Sequence, residues 1–268
     1  MTGALLAVDG DSFAHRAYHS MPKSVRLNAI VGFTNMMLRL WQAERPDVVL
    51  VGWDTLEVPT YRHTSFEAYQ SGRVFEDSIV EQLALLPRVT DELGFLTAKG
   101  AGYEADDFLA AAARDWRGPV LVATSDRDAY QLASDRVTIL SPTRGVSELR
   151  RIGPGEVREI YGVEPEQVPD LIALRGDPSD KLPGARGIGP KKAAELLHQY
   201  GSLEDALAAG RFAAEAEDLR LFRRIAQMDA SAPLPPLRAL TPNWVGASSY
   251  FRDELGLNGV ADRLASAA

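Results

Sequence analysis

Short apolar runs alternate with longer amphipathic stretches in the first half of the chain. Near-continuous apolar runs predict buried strands at residues 5–8, 48–53, 95–97, 120–123 and 137–140. Between them, apolar positions with helical spacing predict helices at residues 28–44, 79–93 and 104–116. Strands that alternate with helices indicate an α/β fold, with a parallel sheet and helices on both faces.

The pattern changes after about residue 154, where glycine and proline interrupt short helical stretches and no convincing strand remains. We therefore expect two regions, an α/β core at residues 1–160 and a helical region at residues 161–268. A polar and aromatic segment at about 55–77 fits neither period, and long segments of this kind usually have a function. Residues 232–236 resemble a linker, and residues 248–264 predict a final helix.

Composition narrows the class of protein. The length of 268 residues fits one or two domains, and the lack of cysteine excludes disulfides, zinc–thiolate sites and cysteine nucleophiles. No secretory leader and no membrane-spanning run is recognisable, so we expect a cytoplasmic protein without a membrane partner. The net charge of −8 argues weakly against a general polyanion binder.

Carboxylates follow the predicted strands at the points where the strands end. Ligands of open α/β sheets bind beyond these ends, so the side chains should meet at one edge. Seven carboxylates there would repel one another unless divalent cations bind, and oxygen ligands suit Mg²⁺ or Mn²⁺. Each one alone could simply cap a helix. The seven are Asp9, Asp54, Glu104, Asp106, Asp107, Asp126 and Asp128, and Asp177 and Asp180 follow in the helical region.

The most specific local motif is the segment 182–197, which is rich in glycine and lysine. Gly187 and Gly189 predict a tight turn, and Pro190 suits the first position of the helix that follows. The N–H groups at the start of that helix attract a phosphate, although an ordinary packed helix pair would use a similar turn. Positive charge beside the turn comes from Arg186, Lys191 and Lys192.

Four linked motifs together resemble one protein family. They are Leu6-Ala-Val-Asp-Gly10 with Arg16, Gly102-Tyr-Glu-Ala-Asp-Asp107, Thr124-Ser-Asp-Arg-Asp128 with Gln131-Leu132, and Gly176-Asp-Pro-Ser-Asp180 followed by Leu182-Pro-Gly184 and Gly187-Ile-Gly189. In order and spacing they resemble the 5′-nuclease family, which includes the 5′–3′ exonuclease domain of bacterial DNA polymerase I and flap endonucleases. The resemblance covers roughly residues 4–230.

The resemblance implies a metal-dependent 5′–3′ exonuclease and flap endonuclease of DNA replication and repair, with a 5′-phosphate and a 3′-hydroxyl as products. All nine carboxylates would serve two or three divalent ions. One metal position would use Asp9, Asp54, Asp106 and Asp107. The other would use Asp126, Asp128, Asp177 and Asp180. Glu104 would orient ligands or water. Catalytic roles would fall to Asp9, Arg16, Arg62 and Arg73.

The resemblance also implies a helix–three-turn–helix around residues 177–197 that grips duplex DNA and commonly holds K⁺. Residues 55–77 would form an arch over the site. The expected partner is DNA with 5′ ends or flaps, and the expected protein is a stand-alone, nucleoid-associated monomer of a bacterial type. The DNA-binding residues would be Lys181, Arg186, Gly187, Gly189, Lys191 and Lys192.

Two departures keep alternatives open. Gln70 occupies the position of an arch lysine in the family, and Lys181 replaces the usual asparagine. Because Gln70 supplies no cation, a non-catalytic DNA-binding relative is one alternative. A phosphatase of the haloacid-dehalogenase type is another, with Asp9 as nucleophile and Asp11 as general acid. That reading leaves the 104–107 motif and the glycine-rich turn unexplained.

Overall fold

The computed structural model describes residues 3–55, 57–72, 74–144 and 148–268. One sheet lies at its centre, with the strand order β3-β2-β1-β4-β5-β6. The first five strands run parallel, and β6 pairs antiparallel with β5. The strands are β1 (Leu5–Asp9), β2 (Val48–Gly52), β3 (Leu96–Ala98), β4 (Val120–Ala123), β5 (Val137–Arg144) and β6 (Glu148–Ile152).

The five predicted strands are confirmed, with small shifts at their ends and a longer β5. The edge strand β6 was not predicted, because its sequence Glu-Leu-Arg-Arg-Ile is charged and carries no apolar run. It buries only Ile152 completely and pairs with one neighbour. The parallel sheet expected from the sequence therefore carries an antiparallel edge.

Helices flank the sheet and fill the second half of the chain. The predicted helix at residues 28–44 is confirmed, and those at 79–93 and 104–116 are each shorter or shifted by one or two residues. The expected final helix at 248–264 is wrong: two helices meet at a turn in which Gly256 has φ +65°. The helices are α1 (Gly10–Ser20), α2 (Asn28–Glu44), α3 (Tyr61–Ser65), α4 (Asp77–Glu92), α5 (Ala105–Asp115), α6 (Pro154–Tyr161), α7 (Val168–Arg175), α8 (Pro190–Tyr200), α9 (Leu203–Ala208), α10 (Ala216–Ala226), α11 (Trp244–Asp253) and α12 (Asn258–Ala265).

Alternate residues of β1 enter two different cores, one on each face of the sheet. Leu5 and Ala7 pack with residues of α5, α7, α8 and α10. Leu6 and Val8 pack with residues of α1, α2, α4, α11 and α12. Because successive side chains of a strand point to opposite faces, a strand buried on both faces is apolar throughout. The predicted arrangement of helices on both faces is confirmed.

The last two helices belong to the second of these cores. Phe251 of α11 and Leu264 of α12 are fully buried there, beside α2 and α4. The division of the chain at residue 160 stays a prediction, to which the structure adds that α11 and α12 pack against α4 and α2, on one side of the sheet. Among the described residues, no helix combines the length and apolar character that crossing a bilayer requires.

Candidate active site

A cleft of about 410 Å³ lies beyond the carboxyl ends of the parallel strands. Most of the carboxylates that the sequence places at strand ends meet there, as the open-sheet argument predicts. Asp107 and Asp177 do not line the cleft, whereas Asp11, which the metal-site prediction did not include, does. The lining carboxylates are Asp9, Asp11, Asp54, Glu104, Asp106, Asp126, Asp128 and Asp180.

Asp9 connects the end of β1 to the start of α1. Its Oδ1 accepts a hydrogen bond from the Ser12 N–H at 2.9 Å, and its Oδ2 accepts one from the Thr124 hydroxyl at 2.7 Å. Gly10 follows because a Cβ there would lie 2.6 Å from the Trp53 ring. Burial, with added repulsion from Asp54, raises the pKa of Asp9 to about 7.

Asp54 links the end of β2 to the start of α5. Its N–H donates to Asp11 Oδ2 at 2.7 Å, and its Oδ1 accepts the Ala105 N–H at 2.7 Å. Burial raises the pKa of Asp11, and the nearby negative charge of Asp54 raises it further. The sequence signal for Asp11 was weak, since an acidic residue in the first turn of a helix is ordinary.

Arg62 of α3 is buried among the carboxylates of the 104–107 motif. Its Nη1 and Nη2 donate to both oxygens of Asp107, at 3.0 and 2.9 Å, and Nη2 also donates to Asp106 at 3.1 Å. Asp107 is fully buried and accepts the Asp229 N–H as well. Arg62 therefore offsets part of the negative charge of the acidic motif, and Asp107 ties the motif to the chain after α10.

The segment 57–72 bridges two sides of the cleft through a series of hydrogen bonds. Thr60 and Tyr69 donate to the two oxygens of Glu104, at 2.7 and 2.9 Å. Gln70 donates to the Tyr69 hydroxyl at 2.7 Å and to Asp180 Oδ1 at 3.1 Å. This series of hydrogen bonds links two of the predicted metal ligands, Glu104 and Asp180, through Tyr69 and Gln70. Gln70 is the residue that departs from the family pattern.

The far wall of the cleft comes from the loops after β4 and α7. Burial raises the pKa of Asp128, with further contributions from the charges of Asp126, Asp177 and Asp180. Asp177 accepts from the Ser179 N–H at 2.8 Å and pairs through its backbone with Leu182. It shapes the turn that presents Asp180.

The donors suit a hard divalent cation without forming a finished cage. Among residues 3–55, 57–72, 74–144 and 148–268, no three His, Cys, Asp or Glu side chains converge tightly enough to hold a metal ion. Mg²⁺ commonly uses only one or two carboxylates together with waters, so such convergence is not required. Asp106 Oδ1 is buried without a hydrogen-bond partner, and burial raises the pKa of Asp106 well above its usual range. An oxygen atom in this state fits a cation.

The predicted tight turn between α7 and α8 is present: Gly187 has φ +73°, and the Ile188 N–H donates to the Ala185 carbonyl at 3.1 Å. Gly184 has φ +72°, and a Cβ on it would lie 2.4 Å from the Gly176 nitrogen. The backbone segments at 176 and 184 approach so closely that position 184 requires glycine. Pro190 begins α8, as predicted. All the predicted DNA-binding residues lie on this exposed surface, outside the cleft, and their role stays a prediction. They are Lys181, Arg186, Gly187, Gly189, Lys191 and Lys192.

Of the other two predicted arginines, Arg16 does not line the described cleft. Arg16 donates from Nη2 to the Thr143 carbonyl at 3.3 Å, which directs it toward β5. Arg73 lies outside the described residues. Their catalytic roles, like that of Arg62, stay predictions.

Solved structures of nucleases share this fold. T5 5′-exonuclease with bound zinc matches at a TM-score of 0.72 and 20% identity, covering 99% of this chain and 100% of that chain. The catalytic core of Rad2 in complex with a DNA substrate matches at a TM-score of 0.63 and 14% identity, covering 97% and 90%. At these identities the likeness shows the fold alone.

Two family models cover most of the chain. The 5′-3′ exonuclease N-terminal resolvase-like domain matches residues 4–162, and the 5′-3′ exonuclease C-terminal SAM fold matches residues 163–243. The chain belongs to the 5′–3′ exonuclease family, as its motifs predicted.

Among the relatives are DNA polymerases I. That of Mycobacterium tuberculosis is 40% identical over 210 residues, 74% of this chain and 23% of the relative. The thermostable DNA polymerase I of Thermus thermophilus is 37% identical over 251 residues, 87% of this chain and 29% of the relative. The chain thus spans less than a third of the curated relatives it matches.

Proposed function

We propose that this chain hydrolyses phosphodiester bonds of DNA as a divalent-metal-dependent 5′–3′ exonuclease and 5′ flap endonuclease in replication and repair. The observation that carries the proposal is the cleft at the strand ends, where eight carboxylates line about 410 Å³. Membership of the 5′–3′ exonuclease family supports it. The products are a 5′-phosphate and a 3′-hydroxyl.

Mg²⁺ or Mn²⁺ fits this donor set, because the cleft offers carboxylate oxygens and no sulfur ligand. When bound, the cations supply an activated water and neutralise charge on the leaving oxygen. We assign Asp9, Asp54 and Asp106 to one ion. Asp126, Asp128 and Asp180 are assigned to the other.

The remaining members of the predicted set support these ligands. Asp107 accepts from Arg62 and from two backbone N–H groups, so we assign it to positioning Asp106. Asp177 shapes the turn before Asp180. Glu104 holds the segment 57–72 over the cleft through Thr60 and Tyr69, and this contact orients the arch.

DNA binding is assigned to the turn between α7 and α8. Exposed Lys191 and Lys192 in the first turn of α8 suit the phosphates of a duplex, together with the free N–H groups of the helix. A K⁺ ion at this turn, the monomeric state and a cytoplasmic, nucleoid-associated location stay predictions.

One assay tests the catalytic proposal. A 5′-labelled flap duplex is incubated with Mg²⁺ or Mn²⁺, and cleavage is compared between the wild type and Asp126→Ala. We expect the variant to lose at least about 100-fold in rate, because it removes a metal ligand, while DNA binding by anisotropy is retained. Full cleavage by Asp126→Ala would overturn the site assignment.

The same assay addresses the non-catalytic alternative, which Gln70 favours. Gln70→Lys adds a cation beside Asp180, to which Gln70 already donates at 3.1 Å, and we expect faster cleavage. Tight binding by the wild type without turnover in either metal would support the non-catalytic alternative. Family membership speaks against the phosphatase alternative.

A further inference from the structure

A second cavity, of about 650 Å³, lies behind the cleft between α3 and the end of α10. We call it the rear cavity and define it by Tyr61, Ser65, Arg224, Ile225, Asp229 and Ser231, which are among its lining residues. Its volume falls in the usual range for small-ligand sites, about 300–1,000 Å³. None of the side chains that define it has a role in the proposed reaction.

The rear cavity and the cleft share a wall. Ile225 lines both spaces, and its side chain is 2% exposed. The Ile225 carbonyl accepts from Arg62 Nε at 3.0 Å. The rear cavity therefore adjoins the cleft directly across the wall that Ile225 forms.

The walls offer an aromatic ring and a cation. The Arg62 guanidinium lies 4.7 Å from the centre of the Tyr61 ring, and the Tyr61 hydroxyl donates to the Gln227 carbonyl at 3.0 Å, so the ring is held in place. Arg224 is exposed at the rim. Its helix neighbours Arg220 and Arg223 are paired with carboxylates, whereas Arg224 forms no ion pair with any described residue.

We propose that the rear cavity binds a nucleotide of the unpaired 5′ strand, with the base against Tyr61 and the phosphate at Arg224. Base stacking on aromatic rings tolerates any sequence, and Arg binds phosphate in a fixed geometry. Asp229 is among the lining residues, and its negative charge repels a phosphate inside the cavity. The phosphate therefore lies at the rim, and the hydrogen-bonding edge of the base lies inside. The proposal rests on the proposed nuclease function and adds a subsite to it.

Two substrates with one duplex test the proposal, one without a 5′ extension and one with five unpaired nucleotides. Arg224→Glu should raise KM for the extended substrate about tenfold, the size of one lost stacking or phosphate contact, and leave the other substrate unchanged. Ser65→Phe, which blocks the mouth while keeping the charge, should do the same. Arg238→Glu, an exposed arginine outside both linings, is the matched control.

Binding in Ca²⁺, followed by anisotropy, separates failure of this proposal from failure of the nuclease function. If the wild type cleaves neither substrate, the extended substrate should still bind about tenfold more tightly to the wild type than to Arg224→Glu or Ser65→Phe. Replacing the five nucleotides by abasic sugars should remove the effect of Ser65→Phe. Equal losses on both substrates, or equal losses with Arg238→Glu, would overturn the rear cavity as a binding site.

Discussion

Two adjacent carboxylates, Asp106 and Asp107, have different surroundings because Arg62 donates two hydrogen bonds to Asp107 and one to Asp106. Asp107 receives both guanidinium donors and two backbone N–H groups, and it is fully buried. Asp106 keeps one oxygen without a partner. Removing Arg62 would leave several buried charges uncompensated, which typically costs about 3–5 kcal/mol. The arginine thus supports the fold of the acidic site before any metal binds.

At the residue scale, the raised pKa of Asp9 predicts how the free energy of unfolding of the metal-free protein depends on pH. Its pKa is about 7 in the folded chain and 3.8 as an ordinary Asp, so folding favours the protonated form. Its contribution to stability is full below about pH 4 and is lost as pH rises through 7, up to about 4 kcal/mol at 1.36 kcal/mol per unit. Urea unfolding in EDTA from pH 5 to 8 should show about 3 kcal/mol of this loss, since the rest falls between pH 4 and 5.

Asp9→Asn should make the profile in EDTA shallower and raise stability at pH 8, whereas Mg²⁺ should stabilise the wild type more than the variant. Asp253→Asn, which changes an exposed carboxylate at the end of α11, is the control and should leave the slope intact. A wild-type profile that is flat from pH 5 to 8 would contradict the prediction.

The sequence placed most of the cleft carboxylates correctly because strand ends in a parallel sheet meet at one edge. It did not indicate that Arg62 would be buried or that Gln70 would reach Asp180. Those contacts depend on where the segment 57–72 meets the cleft, and that segment has no periodic pattern from which its course could be predicted. Asp11 was missed for a related reason, since its partner Asp54 is 43 residues away.

At the scale of elements, apolar runs identified the buried strands, whereas β6 escaped because an edge strand needs only one buried face. Its burial alternates weakly, and only Ile152 is buried. The final helix was predicted as one because apolar positions continue across the break. There Leu255 is buried and Gly256 has φ +65°, so the chain turns while its apolar pattern persists.

The N-terminus of α8 gives a prediction at this scale. Lys191→Ala with Lys192→Ala should weaken binding evenly across DNA sequences and lower the slope of log affinity against log salt by about 1–2, because each phosphate contact contributes about 0.9. Anisotropy at several salt concentrations measures both quantities.

A double variant that removes the same charge from α11 and α12, on the opposite face of the sheet, is the control. Arg252→Ala with Arg263→Ala should change neither the affinity nor the salt slope. An unaltered slope in the Lys191 and Lys192 variant would remove the turn between α7 and α8 from the DNA interface.

At the scale of the whole molecule, the two cores meet at the sheet, and each supports a different part of the site. Residues of α1 and α2 pack on one face and fix the end of β1, where Asp9 lies. Residues of α5, α7 and α10 pack on the other face and fix the 104–107 motif and the turn at Asp180. The cleft exists because both layers end at the same edge of the sheet.

The position of α11 and α12 predicts that substitutions in their core change the stability of the protein without changing its DNA binding. Phe251 is fully buried beside α4, on the face away from α7 and α8, so Phe251→Ala should cost about 3–5 kcal/mol and lower the melting temperature. The cleavage rate per folded molecule and the salt slope should stay unchanged, because no residue of α11 lines the cleft. Val245→Ala, on the same helix but 67% exposed, should shift stability by less than about 0.5 kcal/mol. Loss of cleavage in Phe251→Ala at a temperature where circular dichroism shows a folded protein would instead couple the last two helices to the site.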